Sequence, residues 1–207
     1  MIAAHQTMLA PPALPYDAEV EYLESTGTQY VDTGIAPKNV PGFAMSLDCM
    51  RISGGWSGYG TGVFPGQRIV LRNYTGGTAL QVGSDVYGNG SILDGIRITV
   101  SFDMVNGHVS VGEYSNTFDP ATYTNLGNGY NFYLFAVSRN NTPNPNPYDN
   151  LRVYGAKFWS NGVLVRDFQP VRVGSGSSAV GYLFDRVSGE LFGNAGTGAF
   201  TIGPDKT

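Results

Sequence analysis

Cysteine occurs once in the 207 residues, at Cys49, so no disulfide can close within the chain. One thiol and two well-separated histidines, His5 and His108, also fall short of a zinc ligand set. Neither histidine has an evident Ser or Cys partner in the sequence, so no nucleophilic triad is visible. Charge is scarce: only 14% of residues are charged, lysine is confined to Lys38, Lys157 and Lys206, and the net charge is −4. Proteins that grip nucleic acid concentrate Lys and Arg on one face. No such block exists here, and Arg68 and Arg72, which share a strand face by spacing, read as local pairing. No run approaches the 18 apolar residues of a membrane-spanning helix. Residues 1–15 lack the positive start and unbroken apolar stretch of a secretory signal, because His5, Gln6 and Thr7 interrupt it. The expectation is a protein made in the cytoplasm that leaves by another route, such as particle assembly followed by lysis.

What is present is a chain of the size of one all-β domain, large enough to bury roughly 70% of its unfolded surface without metal or disulfide. From Tyr16 onward the pattern has period two with turn residues about every ten positions, which predicts an antiparallel β-sandwich. Strands are expected at Val20–Leu23, Tyr30–Thr33, Gly42–Met50, Arg68–Tyr74, Ala79–Val82, Ile96–Asp103, His108–Glu113, Asn131–Ser138, Leu151–Ser160 and Val163–Gln169. Asn106-Gly107 and Asn161-Gly162 read as two-residue hairpin turns, since both central positions of a type I′ turn need positive φ. Cys49 lies in an alternating apolar run, Phe43 to Met50, and reads as a buried structural thiol. The 29 glycines and 13 tyrosines follow no period, which argues against a repeat architecture. Asn140-Asn-Thr-Pro-Asn-Pro-Asn-Pro147 predicts a projecting loop, because alternating prolines are poor ladder members.

Two units follow: an extended arm over 1–15 and a sandwich over 16–207. The arm carries no charged side chain and is stiffened by Pro11, Pro12 and Pro15. We read it as an anchor whose gripping residues are Ile2, Met8, Leu9, Pro11, Pro12 and Leu14, the alternative being a loose terminus.

For chemistry, Asp17, Glu19 and Glu21 stand at i, i+2 and i+4, the spacing that puts three carboxylates on one face of a strand. Retaining glycosidases need two carboxyl groups about 5 Å apart, but an acidic outward face accounts for the triplet equally well. No catalytic residue is assigned. Asp85, Asp94 and Asp149 are loop carboxylates open to calcium, yet no ligand spacing singles them out. No cofactor or metal is therefore expected. Aromatics near turns, Trp56, Tyr59, Tyr74, Tyr87 and Tyr148, are the candidate glycan-stacking residues. The competing account of Trp56 is closure of the sandwich end, and Trp159, beside Phe158 within a strand, reads as core.

Two bookends carry a family likeness: Tyr22-Leu-Glu-Ser-Thr-Gly-Thr-Gln-Tyr-Val-Asp-Thr-Gly34 near the start, and Val180-Gly-Tyr-Leu-Phe-Asp-Arg-Val-Ser-Gly-Glu-Leu-Phe-Gly-Asn-Ala-Gly-Thr-Gly198 near the end. With the strand pair over 151–170, they resemble the concanavalin A-like, laminin G-like jelly-roll domains of tailed-phage virion proteins and bacterial surface proteins, across residues 16–203. The resemblance implies a jelly roll. It also implies a non-enzymatic virion component at the head or tail surface, held to other virion proteins through the arm. Self-association and host-glycan binding are further implied, and the scattered Lys and Arg and the short apolar runs leave no expected role for nucleic acid or membrane. A bacterial surface or secreted lectin-like module is the alternative. Glycoside hydrolases of this class keep their acids on a central strand with a fixed aliphatic interleave, which this sequence lacks. In the closing segment, Asp185 and Ser188-Gly189 predict a turn between two short strands, with Phe192 and Phe200 as core anchors.

Overall fold

The computed structural model describes residues 13–53, 59–63, 67–74, 77–88, 94–139, 142–144 and 150–207. The first half of the chain forms β1 (Ala18–Glu19), β2 (Leu23–Ser25), β3 (Val31–Asp32), β4 (Ala44–Ser53), β5 (Tyr59–Val63), β6 (Gln67–Tyr74), β7 (Gly77–Val82), β8 (Asp85–Tyr87) and β9 (Arg97–Asp103). The second half adds β10 (His108–Val111), β11 (Tyr114–Thr117), β12 (Tyr133–Leu134), β13 (Val137–Arg139), β14 (Thr142–Asn144), β15 (Asn150–Ser160), β16 (Val163–Val173), β17 (Val180–Asp185), β18 (Glu190–Phe192) and β19 (Thr201–Ile202). Only short 3-10 turns interrupt the strands among the described residues.

The larger sheet runs β11-β10-β9-β4-β15-β16-β17-β18, and the smaller β14-β13-β5-β6-β7-β8 with β12 joining β3 to β5. Among the described residues, pairing is antiparallel except between β13 and β5. Alternation along each strand sends one set of side chains inward. Met45, Leu47 and Cys49 of β4 and Ile98, Val100 and Phe102 of β9 meet Ile69, Leu71, Leu80 and Val82 of the smaller sheet in one core. Aromatic rings fill its centre: Phe158 is 6.2 Å from Phe43, 5.5 Å from Phe132 and 6.2 Å from Phe168, ring centre to ring centre. Burial pushes the Cys49 thiol up, with the neighbouring Asp48 carboxylate adding to the effect, so the thiolate needed for reaction is suppressed.

A fork shapes the larger sheet. β15 and β16 pair from Ser160↔Val163 back to Ala156↔Phe168 and then part, beside an irregularity of the β15–β4 ladder between Val153 and Gly155. The opening is filled by the two ends of the fold: β2 adds to β15, β1 adds to β16, and β19 pairs with β2. Backbone bonds sew them together, from Glu21 N to Pro204 O (2.8 Å), Gly203 N to Tyr22 O (2.9 Å) and Lys206 N to Glu19 O (2.8 Å).

The turns test the sequence reading in detail. Asn161 and Gly162 have φ of 46° and 78° between the paired Ser160 and Val163, as a type I′ turn requires. Asn106-Gly107 is different. Asp103 pairs with His108 across four intervening residues, and Gly107 alone of that turn has positive φ (60°). The Asp103 carboxylate accepts from the backbone N–H groups of Val105 (2.8 Å) and Asn106 (3.0 Å), which organises the longer turn. The expected strand 131–138 is broken into β12 and β13 because Phe135 adopts φ of 66°, turning its ring onto Phe200 at 4.7 Å. The loop expected at 140–147 is also corrected in part: Pro143 lies opposite Ser138 in β14. β14 ends its sheet, and an edge strand tolerates a residue without an N–H. The remainder of that run lies outside the described residues.

Candidate functional site

The outer face of the larger sheet is where the unassigned chemistry collects. Register aligns one row across six strands: Ser115 of β11, Ser110 of β10, Ser101 of β9, Ser46 of β4, Lys157 of β15 and Asp167 of β16. Four serines in succession give a floor of hydroxyls with almost no side-chain height. Ser101 and Ser110 share a hydrogen bond of 2.6 Å. The row spans about 24 Å at the usual interstrand spacing.

A second row runs beside it: Thr117, His108, Asp103, Ala44 and Trp159. Ala44 is the cause of a hollow here. Its methyl group lies between the large Trp159 on one strand and Asp103 on the other, and the missing bulk leaves a cavity of about 420 Å³. Trp159 and Val105 contribute apolar walls, while Ser46, Asp103, Asn106 and His108 contribute polar ones. Burial alone would raise the Asp103 carboxyl. Hydrogen bonds from the side chain and N–H of Asn106 and from the Val105 N–H, with His108 nearby, hold it below the usual carboxylate range instead.

Across the serine row lies a second hollow of about 320 Å³, which shares Ser46 with the first. It opens where β15 and β16 fork. Lys157, Asp167, Arg186 and Lys206 surround it, and Gln169 lines it from β16. Tyr154, bulged outward at the fork, forms another part of its wall. The Arg97 guanidinium covers that ring at 3.9 Å from its centre and grips Asp48 at 2.8 and 2.5 Å.

The structure relocates several expected site residues. Tyr87 is a correction: it is 7% exposed, and its hydroxyl lies 2.6 Å from that of Tyr123, which in turn donates to Asp85. The buried hydroxyl pair keeps the ring inside the sandwich, so no face is free for a sugar. Tyr59 and Tyr74 fall on β5 and β6, but their side chains, like Trp56 and Tyr148 as a whole, lie outside the described residues. So do Ile2, Met8, Leu9, Pro11 and Pro12 of the arm, whereas Leu14 is described and 61% exposed.

The carboxylates expected on one strand face are dispersed. Only Ala18–Glu19 is strand. Asp17 accepts from Gly174 N (2.7 Å), Glu19 faces Arg186 and Lys206, and Glu21 is exposed. Asp94 pairs with Arg51 and Asp85 takes the Tyr123 hydroxyl, while Asp149 is outside the described residues. Among the described residues no three His, Cys, Asp or Glu side chains gather as a metal site.

Two readings of the sequence need revision. His108 does meet a serine, with Nε2 2.9 Å from Ser115 Oγ. Asp103 is its cross-strand neighbour, but the Asp103 oxygens are taken by Val105 and Asn106. The orienting bond that a Ser-His-Asp triad requires at the second ring nitrogen is not formed among the described residues. Trp159 is the other. It is half-buried on the outer face while Phe158 is buried. Adjacent strand residues point to opposite faces, so the Phe158-Trp159 pair already carried the signal. The chain matches no protein-family model, no curated protein and no solved structure.

Proposed function

We propose that this chain is a non-enzymatic carbohydrate-recognition sandwich whose binding surface is the serine-floored trough on the larger sheet. One observation carries the reading: a low row of hydroxyls from Ser46 to Ser115 is flanked by the half-buried Trp159, next to a 420 Å³ hollow made by Ala44. Sugars present hydroxyl edges and apolar ring faces. A flat hydroxyl floor supplies partners for the first and an indole face for the second. The fold class supports it too, since the bookend resemblance and the two-sheet sandwich agree with a jelly roll of the concanavalin A-like, laminin G-like kind.

Trp159→Ala is expected to weaken binding of a responding oligosaccharide by at least about tenfold, equivalent to ~1.4 kcal/mol, with an unchanged circular dichroism spectrum. The responding sugar is found by titrating the purified chain against an oligosaccharide panel in a calorimeter. Unaltered affinity in that variant would remove the trough from consideration.

The setting we propose is the surface of a tailed-phage particle, with the arm over 1–15 gripping other virion proteins. A bacterial surface lectin is the alternative. Support for the arm comes from its composition and from where the sandwich starts: Tyr16 packs on Phe184 with ring centres 5.0 Å apart and Asp17 N bonds to Arg172 O (2.9 Å), while Leu14 just before them is exposed. Deleting residues 1–15 is expected to abolish incorporation into particles, read by mass spectrometry of purified virions, while the melting temperature moves little. Incorporation of the truncated chain at full copy number would refute the anchor.

A further inference from the structure

We infer that the ligand of the trough is an acidic glycan, whose anionic group enters the hollow at the β15–β16 fork while a neutral ring lies against Trp159. This rests on the carbohydrate reading above and deepens it. The observation behind it is how the cations at the fork are held. Lys157 is 3.4 Å from Asp167, Arg186 is 3.7 Å from Glu19, and Lys206 is 3.9 Å from the same Glu19. These are charge contacts longer than a good hydrogen bond, and two cations share one carboxylate.

Other arginines of the protein show what a satisfied guanidinium looks like. Arg172 holds Asp205 with two bonds of 2.7 and 2.6 Å, and Arg97 holds Asp48 at 2.8 and 2.5 Å. Because Arg97 already neutralises Asp48, three cations at the hollow, Lys157, Arg186 and Lys206, stand against two carboxylates, Asp167 and Glu19, which leaves one positive charge in excess. A locally positive hollow on a chain of net charge −4 is a selective feature. Loose, exposed ion pairs contribute little to folding, so an incoming carboxylate or sulfate ester can take over their donors at small cost to the protein.

Gln169 completes the site. It is 4% exposed, lines this hollow, and among the described residues has no hydrogen-bond partner for either amide atom. A buried amide with both atoms unpaired is costly, and a hydroxyl-bearing ligand both donates and accepts where this one needs it. The hydroxyl row lies between the subsites. Ser46 borders both hollows, and Trp159 and Lys157 stand two residues apart on β15, so one chain running along that strand reaches both.

The test titrates the full chain at low ionic strength with matched pairs: oligogalacturonate against its fully methyl-esterified form, and sulfated dextran against dextran. The expected result is that the acidic member of at least one pair binds about tenfold or more tighter than its neutral counterpart, as one charge-assisted contact supplies. Which pair responds separates a carboxylate from a sulfate ester. The Lys157→Gln/Arg186→Gln double variant, altering side chains 47% and 51% exposed, should erase that preference and leave neutral binding intact, whereas Trp159→Ala should weaken both members. Equal binding of acidic and neutral members, or a preference that survives the double variant, overturns the acidic ligand and leaves the trough standing. Silence from all four probes, together with a neutral panel that Trp159→Ala does not affect, overturns the carbohydrate reading itself.

Discussion

Asp185→Ala is expected to cost about 3–5 kcal/mol of folding stability, the range found when one partner of a buried charge network is removed. The carboxylate is fully buried. Oδ1 accepts from Asp167 N (2.8 Å) and Val187 N (3.1 Å), and Oδ2 accepts from Ser188 N (3.3 Å) with Arg166 Nε at 3.7 Å. Truncation would leave three backbone donors without their acceptor, and each such group carries a desolvation penalty of about 1–3 kcal/mol. Asp185→Asn keeps the shape but replaces one acceptor oxygen with a donor, so it should fall between wild type and Ala. Urea unfolding with an unchanged m-value is the measurement. A loss below about 1 kcal/mol for the alanine variant would mean that the turn is held by its Gly189 N to Asp185 O bond (2.8 Å) alone. The proposed site is linked to the same side chain, because the Asp167 N–H it holds belongs to the strand residue that faces Lys157 at the fork.

That turn was readable in the sequence, and the reason is local. Asp185, Ser188 and Gly189 specify a tight connection by their own hydrogen bonding and by φ of 76° at Gly189, without help from distant residues. The same holds for Asn161-Gly162. The two-sheet all-β architecture was legible because alternation is strict in β9 and in β4 as far as Cys49. What local pattern could not supply was context. The break at Phe135 depends on Phe200, 65 positions away, whose ring offers the packing that stabilises a positive φ on a bulky residue. β11 carries Tyr114-Ser-Asn-Thr117, with only Tyr114 packed against the core, and it owes its strand form largely to the ladder with β10. β5, with glycines at 60 and 62, has little strand propensity of its own. At Gly60 an added Cβ would stand 2.1 Å from Ile69 O, so its neighbouring strand demands glycine there.

The site was less legible than the fold for a related reason. The row of four serines with Lys157 and Asp167 is an alignment across six strands, and none of its members is unusual within its own strand. Register makes the surface, and register was settled by core packing on the opposite face: Met45, Phe102 and Phe158 fix how β9, β4 and β15 slide, and Ser46, Ser101 and Lys157 follow. Searching for exposed aromatics beside turns favoured Tyr87, whose neighbours in sequence look like a loop but whose hydroxyl belongs to the buried pair with Tyr123. Strand parity, applied to Phe158-Trp159, was the better guide.

Parity also sets the second large effect. Phe158→Ala is expected to destabilise the fold by about 3–5 kcal/mol, while Trp159→Ala should stay within about 1 kcal/mol of wild type. The two residues are adjacent and both large, so composition alone would forecast similar losses. Phe158 is 1% exposed and packs against Phe43, Phe132 and Phe168. Removing its ring leaves a void at the meeting point of three aromatics that are themselves pinned on separate segments, so collapse cannot fill it. Trp159 borders an existing hollow next to Ala44, where truncation enlarges a solvent-open space and creates no sealed cavity. Thermal and urea unfolding of both variants measure the contrast. Comparable destabilisation would place the indole in the core and withdraw it from the trough, whereas a stable Trp159→Ala protein with impaired glycan binding would make that residue a recognition group and Phe158 the structural one.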